Sequence, residues 1–247
     1  MDRVAVITGG SRGIGRATAL AAAARGWRVC IGYASNEAAA HAVVAEIEGG
    51  NGAAIAVRCD VASETDILAL FAAADGFGPL GALVNNAGVV DATARLEDMS
   101  AARLQRMMTI NVVGSLLCAR EAVRRMSTRH GGQGGVIVNL SSAAARLGSA
   151  NTYVDYAASK GAIDTFTRGL ADEVAAEGIR VTGVRPGLID TEIHGSGGDP
   201  DRAHRLSVNV PMRRVGTADE IANAIVWLMS DEASYVTGSI LDVSGGR

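Results

Sequence analysis

Seven short apolar runs, near 4–8, 28–33, 53–58, 82–84, 136–140, 180–185 and 239–243, alternate along this chain with longer alanine-rich stretches. The latter have helical character and lie near 14–25, 36–48, 64–75, 101–129, 156–176 and 217–230. Runs that are apolar throughout, separated by helices, belong to strands buried on both faces, so the pattern predicts a parallel sheet. The expected architecture is a single-domain, doubly wound α/β fold over 1–247, with about seven strands and helices on both faces. One helix start is marked by Thr217-x-x-Glu220, which has the form of a capping box. The longest stretch without periodicity is 188–216. A loop that long inside a compact domain is expected to be functional, here a substrate loop.

Composition narrows the function classes. A net charge of −3 offers no basic field to nucleic acid, and no polybasic or acidic run occurs. No apolar stretch approaches the ~18 residues of a membrane span, and no apolar leader precedes the first strand. A cytoplasmic protein without membrane attachment is therefore expected. Cys30, Cys59 and Cys118 are odd in number and far apart, which predicts buried, reduced thiols. The histidines at 41, 130, 194 and 204 make no metal-ligand spacing with cysteine or carboxylate, so no metal site is expected.

The first strand runs into Thr8-Gly9-Gly10-Ser11-Arg12-Gly13-Ile14-Gly15 and then a helix. Gly9, Gly13 and Gly15 let the backbone turn tightly and approach a pyrophosphate, which a helix N-terminus favours electrostatically. Between the first strand and first helix of an alternating chain, such a loop predicts a Rossmann-type dinucleotide site. The second strand ends at Tyr33-Ala34-Ser35-Asn36, with no carboxylate for the ribose 2′-hydroxyl of NAD. Arg12 and the donors of Ser35 and Asn36 suit a 2′-phosphate instead. The expected cofactor is NADP(H).

Lys160 is the only lysine in the chain, beside 22 arginines. It follows Tyr156 by four positions, and such positions share one face of a helix. Arginine stays protonated and presents a planar fork, whereas lysine is a compact charge whose pKa neighbours can move. The pair marks a site that needs an ammonium beside a phenol. A phenol titrates near 10, so acid–base work near neutral pH calls for a phenolate stabilised by about 2–3 units. Lys160 and an oxidised nicotinamide are the expected sources of positive charge. Tyr153 is a competitor, but the residue four after it is Ala157.

Together these residues resemble the classical short-chain dehydrogenases/reductases over essentially the whole chain. Thr8-Gly9-x-x-x-Gly13-x-Gly15 is similar to that family's cofactor loop, with Ser11, Arg12 and Ile14 among the implied contacts. Asp60-Val61 resembles its adenine-contacting pair. Asn85-Asn86-Ala87-Gly88 resembles the motif that closes the fourth strand, where Asn86, Ala87 and Gly88 would line the cofactor. Asn111, Ser142, Tyr156 and Lys160 match the catalytic tetrad, the last two also as cofactor contacts. Pro186-Gly187 matches the loop before the nicotinamide, and Ile189 and Thr191 match its carboxamide contacts. Within the family the chain is similar to bacterial NADP-dependent oxidoreductases of glucose-dehydrogenase-like or ketoacyl-reductase-like type.

The resemblance implies hydride transfer between NADP(H) and a small carbonyl or alcohol. Ser142 would polarise the carbonyl, Tyr156 would act as general acid/base, and Lys160 would orient the nicotinamide ribose and lower the phenol pKa. Asn111 would kink its helix and hold a water linking Lys160 to solvent. The family spacing to the tyrosine is slightly shorter than here, so Ser142 fits better than Ser141. A serine hydrolase is excluded by the missing Gly-x-Ser-x-Gly elbow and the lack of a placed histidine. Pocket walls are expected from 91–95, 143–153 and 188–213. Arg95, Arg146, His194 and His204 are candidate anion contacts that read more readily as surface or lid residues.

One alternative is 3-ketoacyl reduction on an acyl carrier protein, for which Arg129 falls at a docking position. Glu177 stands where a second docking arginine would be, with Asp172 and Glu173 nearby, and would repel an acidic carrier. Another is a non-catalytic NADP-binding regulator, which would not need a complete tetrad. A nucleotide-sugar epimerase shares Tyr-x-x-x-Lys but needs a larger substrate domain. By resemblance, the helices at 101–129 and 156–176 imply a homotetramer.

Overall fold

In β1 (Val4–Thr8), Val4 and Val6 pack into one core cluster, while Ala5 and Ile7 pack into another. Side chains alternate across a strand, so a run apolar at every position needs cover on both faces. The computed structural model, which describes residues 2–191 and 205–247, supplies that cover. After β1 come α1 (Gly13–Ala24), β2 (Arg28–Tyr33), α2 (Glu37–Gly49), β3 (Ala54–Arg58), α3 (Glu64–Phe77) and β4 (Leu80–Asn85). The chain continues through α4 (Ala101–Met108), α5 (Gly114–Met126), β5 (Gly135–Leu140), α6 (Ala144–Leu147) and α7 (Val154–Val174). It closes with β6 (Ile179–Pro186), α8 (Ala218–Met229) and β7 (Ile240–Val243).

All seven strands are parallel, in the order β3-β2-β1-β4-β5-β6-β7. Helices α1, α2 and α8 cover one face of the sheet, and α3, α5 and α7 cover the other. The order reverses between β1 and β4, and a crevice opens at the C-terminal strand ends there. The three cysteines, distant in sequence, meet in the α3/α5/α7 core as free thiols. Burial pushes Cys30 and Cys59 up to about 12, and Cys118 up as well, so all three stay protonated and unreactive.

Several boundaries differ from the sequence expectation. β4 begins at Leu80 rather than 82 and takes in Gly81, whose missing side chain leaves room for Trp27; a Cβ there would lie 2.7 Å from that indole. The helix expected over 101–129 is interrupted by a π-helical turn, Thr109–Val113, and stops at Met126. Gly114 lets it pass Val61, whose carbonyl would lie 2.5 Å from an added Cβ. α7 starts two residues before Tyr156, at Val154.

The capping box forms as expected, with Thr217 and Glu220 each bonding the other's backbone N–H at the start of α8. The stretch 188–216 is pinned at its neck, where Ile189 bridges Gly216 and Asp190 N donates to Gly216 O at 3.0 Å. His194 and His204 lie outside the described residues. Among those described, no helix is long and apolar enough to cross a membrane, and no cluster of metal-ligating side chains occurs.

Candidate active site

The glycine loop is built as a close backbone turn. Gly9 and Gly13 have φ of +65° and +51°, in the left-handed region that favours glycine. A Cβ on Gly15 would lie 2.2 Å from Gly9 O, so that position excludes any side chain. Asn86 at the end of β4 locks the loop, its Nδ2 donating to Thr8 O at 2.9 Å and Gly9 O at 3.0 Å. Thr8 Oγ1 accepts in turn from Asn86 N and Ala87 N. Side chains cap α2, α3 and α8, but Arg12 at the start of α1 makes no such bond, and the first turn of α1 holds no acid. The leading N–H groups of α1 are therefore left to an external acceptor, which fits a pyrophosphate.

The adenosine-side candidates lie further along the sheet. Ser11 is half-buried in the turn, and Arg12 is exposed beside it. Ser35 and Asn36 stand exposed beyond β2. Asn36 Oδ1 accepts from Ala39 N as the cap of α2. After β3, Asp60 Oδ1 accepts from Ala62 N, and Val61 is buried against Gly114.

Ser142, Tyr156 and Lys160 line one cleft at the ends of β4, β5 and β6. Ile14, Asn86 and Gly88 bound it on the glycine-loop side, and Pro186, Gly187, Ile189 and Thr191 on the other. Gly187 passes so close to Ser244 that a Cβ would lie 2.7 Å from its Cα. The Ser142 hydroxyl lies near enough to the Tyr156 phenol to pull its pKa down. Ser141 points elsewhere, its Oγ donating to Lys160 O at 3.3 Å. Lys160 Nζ donates to Leu140 O at 2.6 Å and sits 5.7 Å from the Tyr156 ring centre.

The electrostatics differ from the expected lowering of the phenol pKa. Burial raises the Tyr156 pKa above its ordinary value, and only Ser142 pulls the other way. Burial also lowers Lys160 to about 8, against a smaller opposing pull from Asp164. Both groups lie in low-dielectric surroundings that disfavour their charged forms.

Asn111 stands behind the cleft, in the π turn. Its Oδ1 accepts from Val89 N at 2.8 Å, and its Nδ2 donates to Val89 O at 2.9 Å and Ser159 Oγ at 3.1 Å. The side chain thus clamps the segment after Gly88 to α7. Arg95 is engaged by Glu97 and Asn151, and Arg146 by Asp242, so neither guanidinium reaches the cleft.

Several participants carry no signal in the sequence. Arg247 lines the cleft without any spacing that marks it, while Leu147 falls in the expected wall 143–153. Tyr153, a rival to Tyr156 in sequence and the last residue of the expected wall 143–153, lines the cleft, and its hydroxyl accepts from Thr93 at 3.2 Å. A buried ion pair, Arg103 with Asp155, sits beside Tyr156. Asp155 adjoins the tyrosine in sequence, but no spacing points to an arginine far upstream.

A family model described as enoyl-(acyl carrier protein) reductase matches residues 9–247. The chain is 54% identical over 245 residues to the uncharacterized oxidoreductase YgfF of Escherichia coli (strain K12), covering 99% of each. It is 37% identical over 246 residues to a 3-oxoacyl-[acyl-carrier-protein] reductase of Synechocystis sp., covering 99% of this chain and 96% of the relative. A solved short chain dehydrogenase from Burkholderia cenocepacia J2315, in complex with NADP, matches with a TM-score of 0.91 at 33% identity, covering 100% of this chain and 98% of that one. The chain belongs to the classical short-chain dehydrogenases/reductases, a family of oxidoreductases.

Proposed function

We propose that this protein is an NADP(H)-dependent oxidoreductase that moves hydride between the nicotinamide and a small carbonyl or alcohol, with Tyr156 as general acid/base. The observation that carries the reading is the Ser142–Tyr156 hydroxyl pair in a cleft shared with Lys160. The uncapped start of α1 and the side-chain-free turn at Gly15 fit the pyrophosphate, and the acid-free end of β2 fits a 2′-phosphate. The cofactor, when bound, supplies or accepts the hydride.

The residues divide the remaining work. Ser142 and Tyr156 present two hydroxyls to one carbonyl oxygen and stabilise the charge that develops on it. Tyr156, with its pKa raised, is a neutral phenol at neutral pH and holds the proton an alkoxide needs. Lys160, at about 8, is still charged about ten to one at pH 7, and it orients the ribose from beside Leu140. One domain, 1–247, carries both half-sites, with 188–216 as the substrate loop.

The walls support an apolar substrate body over a free sugar. Val90, Leu147 and Leu188 face the cleft, and Arg247 is the one charged lining residue besides Lys160 among those described. A carrier-bound substrate is disfavoured because Arg129 is already paired with Glu177, at 3.1 Å. Met108, Val113 and Leu116 stand exposed along α4, the π turn and α5, and Tyr235 is fully exposed, which supports self-association as a homotetramer. The buried, protonated thiols support a reducing, cytoplasmic setting.

The test is a panel of aldehydes, ketones, sugars and acyl thioesters assayed with NADPH and NADH. NADPH-dependent reduction of apolar carbonyls is expected. Tight NADPH binding with no turnover anywhere in the panel would contradict the proposal and indicate a regulator.

A further inference from the structure

Arg103, near the start of α4, joins two segments that border the cleft. Its Nε and Nη2 grip the Asp155 carboxylate at 2.8 and 3.2 Å, and its Nη1 donates to Ala92 O at 2.6 Å. The Asp155 side chain is 2% exposed and that of Arg103 12%, so the pair is shielded from water. The same two segments meet at three further points. Thr93 Oγ1 donates to the Tyr153 hydroxyl, Ala94 N to Thr152 O, and Arg95 Nη1 to Asn151 Oδ1. Residues 92–95 are thus stitched to 151–155, and the next residue is Tyr156.

Two features set this pair apart from an ordinary ion pair. α7 begins without a side-chain cap, so the Arg103–Asp155 contact fixes its first turn. A buried pair is also no better than an apolar one for stability alone, so its value lies in geometry. Only a guanidinium can hold both carboxylate oxygens and a carbonyl on another segment at once.

We infer that Arg103 is a positioning residue for the reaction: through Asp155 and Ala92 it holds the first turn of α7, and with it the Tyr156 hydroxyl, against the 92–95 wall. The inference rests on Tyr156 being the proton donor. A displacement of about 1 Å at a reacting group costs about a hundredfold in rate.

The experiment uses the full-length Arg103→Met/Asp155→Leu double variant, which leaves no buried charge unpaired, with Arg103→Lys and Glu121→Gln beside it. Glu121 is a buried carboxylate held by Arg120, Arg124 and Arg125, away from the cleft, and controls for lost stability. The probe reaction is NADPH-dependent reduction of 4-nitrobenzaldehyde, and amide hydrogen exchange is followed at 92–95 and 151–156. The double variant should remain folded, bind NADPH within twofold of wild type, and lose kcat by about ten- to a hundredfold. Both segments should exchange faster together. Arg103→Lys should keep the stability of wild type while still losing kcat, and Glu121→Gln should keep kcat within twofold.

A double variant with kcat within twofold of wild type, or full rescue of kcat by lysine, would overturn the inference. So would unchanged exchange in either segment. If the wild type reduces no carbonyl, the proposed function fails, and hydrogen exchange still decides whether Arg103 couples the two segments.

Discussion

The Lys160 ammonium lies 5.7 Å from the centre of the Tyr156 ring and is anchored to the Leu140 carbonyl rather than to the phenol. It is 5% exposed, and burial takes it from an ordinary 10.5 to about 8. The unfolded chain therefore holds this proton more tightly between those values. The group's destabilising effect is complete below pH 8, at roughly 3 kcal/mol, and disappears as pH rises toward 10.5.

Lys160→Met should accordingly keep or raise the melting temperature at pH 7 while reducing kcat by at least about a hundredfold. Thermal unfolding and steady-state kinetics on the same preparation check this. A drop of several degrees in Tm would show that the lysine stabilises the fold, against the direction derived from its burial.

The raised Tyr156 pKa gives the two directions different pH dependence. Reduction needs the phenol protonated and should stay level through neutral pH. Oxidation needs it deprotonated and should climb steadily with pH, through and past the ordinary phenol value near 10. Rate profiles for both directions decide the matter, and an oxidation rate already level at pH 7 would contradict it.

In the proposed reading, cofactor choice turns on Arg12, exposed at the uncapped start of α1. Arg12→Ala should weaken NADPH about tenfold, the equivalent of about 1.4 kcal/mol, and leave NADH nearly unchanged. Calorimetric titration with both cofactors reads the difference. Equal losses for both would remove Arg12 from the 2′-phosphate site.

Gly15→Ala places a methyl group 2.2 Å from Gly9 O and 2.5 Å from Asn86 Nδ2, both fixed within the loop. The expected outcome is a lower melting temperature and at least a tenfold loss of NADPH affinity. A variant that binds normally would show that the turn can open.

Periodicity is a good guide wherever local chemistry decides the structure. Residues 4–8 and 28–33 are legible as strands because both faces of the sheet need apolar side chains there, and the cap at Thr217 announces itself by its partner three residues later. The break at Asn111 is legible only through family resemblance, since a π turn has no periodic signature. Its side chain holds Val89. The Arg103–Asp155 pair and Tyr153–Thr93 contact arise where distant segments meet, which no local spacing encodes. The phenol pKa departs from expectation for the same reason, because the enclosure of Tyr156 comes from the tertiary fold.

The central claim is that Tyr156 supplies the proton while NADPH delivers hydride to a carbonyl. NADPH oxidation with the best carbonyl of the panel, compared between wild type and Tyr156→Phe, tests it most directly. The prediction is a fall in kcat of about a thousandfold, with NADPH affinity within twofold of wild type. Turnover by the phenylalanine variant within tenfold of wild type would contradict it.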